Sequence, residues 1–451
     1  MEKQTKSPRM EQMKKFDISK RVLSYETRVT DPQVSNASRI LFRLDKYNWL
    51  DNETARVIFK VIATGNNALW NASGVHSLFN QVNISIGGTR VSNIPLTASK
   101  YLVKKSLECE DAKFRPSKLT YFQGKNVEFQ ANSYPFGVVN SEWVPNTDLT
   151  IGTEVANSLD VCVYLSELSS LFRSGSLPLS TMNDYVTVEF QLKPSASWAQ
   201  IMLPAIAASD PTGWSVSSSE LVADYIQPTD DMRASMQETN AMLPCSTVFG
   251  TSKTMGTGNA TNVEMALGNK HCSAVHLMYG PDTNNQAIGV DGSYIDTLNE
   301  FKSNLRYNNK QYFSVDQPNS KAWFNWQKNA SEHDFVYTPS PGLVADQDNN
   351  NVVLNWNEPI AQAGTGSDTF TNDLWAGRYN FHTYDFKLDN EGAISFENST
   401  KFSNAPISVI LSHNANIDIP SVNMFADVHQ VLNVDVSSGG VKIVDSVPLA
   451  L

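Results

Sequence analysis

Apolar and polar side chains alternate with period two along much of this chain, which restricts the fold to sheets that each bury one face. Ile40, Phe42 and Leu44 alternate with Arg39, Arg43 and Asp45. Val82, Ile84 and Ile86 alternate with Asn83 and Ser85, and Gly87-Gly88 then supplies a two-residue hairpin turn. Val186, Val188, Phe190 and Leu192 alternate with Tyr185, Thr187, Glu189 and Gln191. Near the C-terminus Ile407, Val409 and Leu411 form one apolar row, and Leu432, Val434 and Val436 form another opposite Asn433 and Asp435. The row Val57, Phe59, Val61 differs, because Ile58 and Ile62 share the opposite face with Arg56 and Lys60. That strand is expected to be partly covered on both sides. Half-buried antiparallel strands in this number imply sandwiches or barrels.

Helical patterns are few and short, at 98–109, 164–172 and 230–242. The third follows Pro228 and ends before Pro244, between two strand-rich stretches of nearly equal length. With 451 residues to distribute, the division expected is an N-terminal arm over 1–20, a first barrel over 21–229, a linker helix over 230–242 and a second barrel over 243–451. Long loops are expected at 111–157, 195–219, 280–300 and 314–378.

Charge narrows the function. The chain carries a net −11, so its body is not built to wrap nucleic acid by phosphate neutralisation. The arm is the exception: Lys3, Lys6, Arg9, Lys14, Lys15 and Lys20 outnumber Glu2, Glu11 and Asp17. Either this arm touches genome, an internal membrane or a neighbouring subunit, or it is a solvated tail. Residues 1–20 lack the apolar run of a signal peptide, and 201–208 is too short, and interrupted by Pro204, to cross a bilayer. Cys109, Cys162, Cys245 and Cys272 form no C-x-x-C pair and read as reduced, mostly buried thiols.

Each hint of chemistry has a plainer reading. The nucleophile-elbow, zinc-protease and P-loop patterns are absent, and Gly256/Gly258 and Gly364/Gly366 lack a strand-to-helix context. Asp346, Asp348 and Asn350 open like a calcium loop, but Asn351 stands where glycine is required and Asn357 where glutamate is required. His271 and His276 are five apart, which on a regular strand puts them on opposite faces. They, like His76, read as hydrogen-bonded structural residues. Trp323, Trp326, Trp356 and Trp375 fit the packed bases of long loops better than sugar-stacking platforms. No catalytic, cofactor-binding or metal-binding residue is therefore assigned.

A family resemblance gathers these elements. The stretch 70–91, WNASGVHSLFNQVNISIGGTRV, resembles the double jelly-roll major capsid proteins of polintons, polinton-like viruses, adintoviruses and virophages. His76-Ser77-Leu78-Phe79 precedes an alternating strand, the Gly87-Gly88 turn and then Tyr101-Leu102, in the family's order. Ile40–Leu44 followed by Tyr47-Asn48-Trp49-Leu50-Asp51 is similar to its opening strand and turn. The segments 159–172 and 183–192 resemble the close of its first barrel, 221–228 the crossing from first barrel to second, and 403–436 its last strands.

The resemblance implies an all-β fold of two tandem eight-stranded antiparallel jelly rolls, with a few short helices and long surface loops. It implies a structural protein of the virion, assembled inside the host cell. Its partner is itself: a homotrimeric, pseudo-hexameric capsomer meeting neighbouring capsomers in the icosahedral shell of a tailless double-stranded DNA virus. Penton and other minor capsid proteins are the further partners implied, with the receptor unassigned. A carbohydrate-binding β-sandwich, free or as a viral spike, is the alternative.

Overall fold

A computed structural model describes residues 22–52, 54–70, 74–95, 101, 138–139, 142–143, 150–155, 160–172, 176–204, 210–230, 241–254, 260–280, 302–308, 310–318, 342–345, 352–355, 381–386, 399–403, 405–412, 421–434 and 441–444. The two halves each contribute eight principal strands. In the first these are Val22–Thr30, Arg39–Arg43, Arg56–Thr64, Phe79–Ile86, Thr89–Ile94, Asp160–Tyr164, Val186–Leu192 and Gly213–Pro228. In the second they are Ala241–Thr254, Ala260–Met265, His271–Gly280, Lys302–Tyr307, Lys310–Gln311, Phe381–Asp385, Ile407–Ser412 and Ser421–Val434.

Counting strands in chain order within each half, one sheet pairs the first with the eighth, the eighth with the third and the third with the sixth. The other runs second, seventh, fourth, fifth. Both halves share this order, which is that of a jelly roll. The chain is two tandem antiparallel jelly rolls.

The predicted alternation decides which faces close on each other. Val186–Leu192 and Ile407–Ser412 bury every second residue. In the first barrel, Phe59 of one sheet meets Phe79 and Phe190 of the other, with centroids 5.4 and 5.3 Å away. Ile84 is buried and Ser85 half-buried, as the register requires. The Gly87-Gly88 turn joins Ile86 to Thr89 with φ of +57° and +82°, the left-handed pair of a type I′ turn. A Cβ on Gly87 would lie 2.2 Å from Asp184 Oδ2, so that position requires glycine.

The shared strand order also gives each barrel two unlike ends. In each barrel the first, third, fifth and seventh strands finish, and the second, fourth, sixth and eighth begin, at one end. The Gly87-Gly88 turn lies at the other end. There too the first strand of each barrel begins and the eighth finishes. The longest connection occupies the same place in both halves, a symmetry the sequence does not display.

Several expectations need correction. The segment 164–172 is a short helix, Leu165–Leu168, and a separate 3-10 turn, Ser170–Phe172, divided by extended backbone at Ser169. The linker helix does not reach 242. Asp230 is helical and 231–240 lie outside the described residues, but Ala241–Thr254 is already strand, with Pro244 opposite Val431. Fourteen ladder partners on Ser421–Val434 fix that assignment. Of the 98–109 helix only Tyr101 is described, and it is helical. The presumed loop 195–219 holds a 3-10 turn at Ser195–Gln200, the strand Met202–Pro204 and the start of Gly213–Pro228. Its serines hid that start, because pairing to Arg56–Thr64 rather than alternation makes the strand. The loop 111–157 contains short strands at Val138–Val139, Glu142–Trp143 and Thr150–Ile151, and 314–378 contains the paired strands Gly342–Ala345 and Val352–Asn355. The 1–20 arm and Val436 lie outside the described residues.

Candidate functional site, the seam between the barrels

Among the described residues no group of three or more His, Cys, Asp or Glu is placed to hold a metal ion, and no helix is long and apolar enough to cross a membrane. The Asp346–Asn350 segment, Trp323, Trp326, Trp356, Trp375, Gly256, Gly258, Gly364 and Gly366 lie outside the described residues. What the fold does build from functional-looking side chains is the seam where the first barrel meets the second.

The first barrel's fifth strand, Thr89–Ile94, and the Ser170–Phe172 turn lie against the second barrel's first strand. Ser92 Oγ donates to the Ser246 carbonyl at 3.3 Å, and Asn93 N donates to Thr247 Oγ1 at 3.2 Å. Ser246 N donates to Ser170 Oγ at 2.6 Å. Gln430 Nε2 donates to the Val91 carbonyl, toward which the Cys245 thiol also points at 3.8 Å. Beneath these contacts Leu243, Val248, Met278 and Phe425 of the second barrel join the apolar cluster of the first. One hydrophobic core thus crosses the seam, and the polar contacts fix its register.

At its centre, Tyr101 Oη donates to Asp427 Oδ1. His276 Nε2 lies 3.1 Å from Asp427 Oδ2 and its Nδ1 lies 3.0 Å from Thr383 Oγ1. His271 Nδ1 lies 3.2 Å from Ser399 Oγ. The opposite-face argument for these two histidines fails. A bulge between Cys272 and Ala274 inserts one residue and brings both to the same side of the strand. Their side chains are hydrogen-bonded to different groups, His276 to Asp427 and Thr383 and His271 to Ser399. His76 is likewise buried, its Nε2 2.9 Å from the equally buried Glu167 Oε2.

A second buried cluster lies inside the second barrel. His382 Nδ1 is 3.0 Å from Ser303 Oγ, which also accepts from Tyr384 Oη at 2.7 Å, and the His382 ring stacks on Tyr384 at 4.9 Å. Burial lowers the His382 pKa to about 4, so the imidazole is neutral near pH 7. Burial also raises the Cys245 thiol, and raises Cys272 well above its ordinary value with Asp427 adding to the effect. Thiols held protonated in this way are poor nucleophiles.

Across the outer face of the first barrel runs a polar row. Arg39 Nε pairs with Glu189 Oε1 at 2.5 Å, and Asn83 Nδ2 donates to Glu189 Oε2 at 3.3 Å. Gln81 Nε2 donates to both Asn83 and Asn93. The row therefore ends at the seam.

Sequence reasoning singled out Tyr101 only for its place in the family's order, and it missed Asp427, Gln430 and Ser246. One signal was available: Ser421–Val434 carries Asn423, Asp427, His429 and Gln430 within a mostly apolar strand. Polar groups without alternation mark a strand covered on both faces, one of them by a polar neighbour.

No protein-family model matches the chain, and no curated protein matches it in sequence. Solved structures do match, over nearly their whole lengths. A cryo-EM structure of the Sputnik virophage aligns at 13% identity with a TM-score of 0.59, covering 99% of this chain and 93% of that one. The PBCV-1 virus capsid aligns at 13% identity and 0.56, covering 94% and 97%. The Faustovirus major capsid protein aligns at 9% identity and 0.54, covering 91% and 90%. At such identities the shared property is the fold, and it extends through both barrels.

Proposed function

We propose that this chain is a major capsid protein whose homotrimer forms the pseudo-hexameric capsomer of an icosahedral double-stranded DNA virus. The observation that carries the reading is the pair of jelly rolls of identical strand order, joined by one seam. Three such chains give six similar barrels in a ring, and a near-hexagonal block tiles a flat facet from one gene product. The capsid proteins that align across both barrels support the same reading. The carbohydrate-binding alternative draws no support from the matched structures.

The role is structural and assigns no catalytic group. The buried histidines and thiols serve packing, and the His76–Glu167 pair holds the turn Gly74–Leu78 to the short helix Leu165–Leu168. The basic arm over 1–20 is proposed to contact genome, an internal membrane or an adjacent capsomer, with penton and minor capsid proteins completing the shell. Negative-stain microscopy of the purified protein tests the reading. Hexagonal particles or closed shells are expected, and a field of small single-chain particles at every protein concentration would overturn it.

A further inference from the structure

The seam inside one chain can be read as a template for the contact between chains. It joins the fifth strand of one barrel to the first strand of the next, most directly through Ser92 and Ser246. In a ring of like barrels the same contact must recur from the second barrel of one copy to the first barrel of its neighbour. Strand pairing identifies the residues that would meet there.

On the first-strand side, Ser246 pairs with His429, which also pairs with His271, where the third strand begins. In the first barrel Val29 pairs with Val222, which also pairs with Arg56, again where the third strand begins. Val29 therefore occupies the position of Ser246. On the fifth-strand side, Ser92 precedes Asn93, which pairs with Asn83 three residues before the hairpin ends at Ile86. In the second barrel the corresponding residue is Asn304, three before Tyr307. Asn304 Nδ2 donates to Asp316 Oδ1 at 3.2 Å, and Ser303 pairs with Gln317. Asp316 thus stands in the place of Asn93, and Val315 in the place of Ser92.

Val29 is 59% exposed and Val315 64% exposed, the two most exposed large apolar side chains among the described residues. The two seam positions that are serines within the chain are exposed valines at the matching outer edges. Charge agrees with the match. Lys302, Arg306 and Lys310 lie exposed on the edge that carries Val315 and Asp316. On the edge that carries Val29, Arg28 is accompanied by Glu26, Asp45 and Asp224. The first edge is net positive and the second net negative.

We infer that the Val315 edge of one copy docks on the Val29 edge of a second copy, repeating the internal seam between chains and closing the ring after three. The contact is heterologous, and cyclic closure uses up both edges. The inference rests on the capsomer reading proposed above.

The test is a full-length Val29→Cys/Val315→Cys double variant, oxidised and run without reductant. Covalent trimers of three 49.9 kDa chains are expected, with Val29→Cys alone and Val315→Cys alone each staying at one chain. Val29→Lys and Val315→Glu should each cut the scattering mass threefold, to the monomer, and the two combined should restore the trimer. A wild-type trimer that neither cross-links through these cysteines nor yields to either charged substitution would overturn this surface while leaving the capsomer reading in place. A wild-type monomer would overturn both.

Discussion

His382 makes the second barrel sensitive to acid. Its ring is fully buried between Ser303 and Tyr384, and burial lowers its pKa from 6.5 to about 4. The unfolded chain binds this proton near pH 6.5, while the folded barrel resists it until about pH 4. Between those values the unfolded state holds more protons, so stability falls as pH falls. A displacement of roughly 2.5 pH units corresponds to about 3 kcal/mol lost by pH 4. The perturbation is His382→Gln, which keeps a hydrogen-bonding group beside Ser303 and removes the titration. Hydrogen exchange at the amides of Phe381–Asp385 gives the opening free energy of that barrel alone. Between pH 7.5 and pH 4, after correction for intrinsic exchange, the wild type should lose about a hundredfold more protection than the variant. The variant will be weaker at pH 7.5, because it gives up the stacking on Tyr384, but its pH slope should be shallower. Equal losses in both proteins would refute the assignment of a buried neutral imidazole.

Other consequences follow from individual side chains. Ile84→Asp places an unpaired charge in the first core and should cost on the order of 3 kcal/mol or more, whereas Ser85→Asp faces outward and should melt close to wild type. Glu167→Ala removes the carboxylate beside His76 Nε2 and should cost about 1–3 kcal/mol, with Glu167→Gln recovering part of the loss in the same thermal scan. EDTA should leave the melting temperature unchanged, and a drop reversed by calcium would contradict the reading of the 346–357 segment. Removing residues 1–18 should preserve melting and reduce shell yield; assembly at wild-type yield would make the arm a mere tail.

Much of the architecture was legible because strands with one wet face write their register into the sequence. Val186–Leu192 alternates without a break, Ile407–Ser412 does so except at Ile410, and Gly87-Gly88 announces its turn. Legibility failed where a strand has no wet face or takes its shape from a partner. Gly213–Pro228 begins among serines, and only its ladder with Arg56–Thr64 makes that segment a strand. The bulge beside Ser273 reversed the facing of His271 and His276, and one inserted residue leaves no mark in composition. The seam was hidden for a related reason. Tyr101 and Asp427 lie 326 residues apart, and nothing local to either predicts the contact.

The capsomer claim meets its most direct test in the mass of the purified protein in solution, measured by light scattering during size exclusion at micromolar concentration. Interfaces of the obligate class bury on the order of 2,000–5,000 Å², so the account predicts a single species of three 49.9 kDa chains that persists on dilution. A stable single-chain species throughout the same concentration range would contradict it.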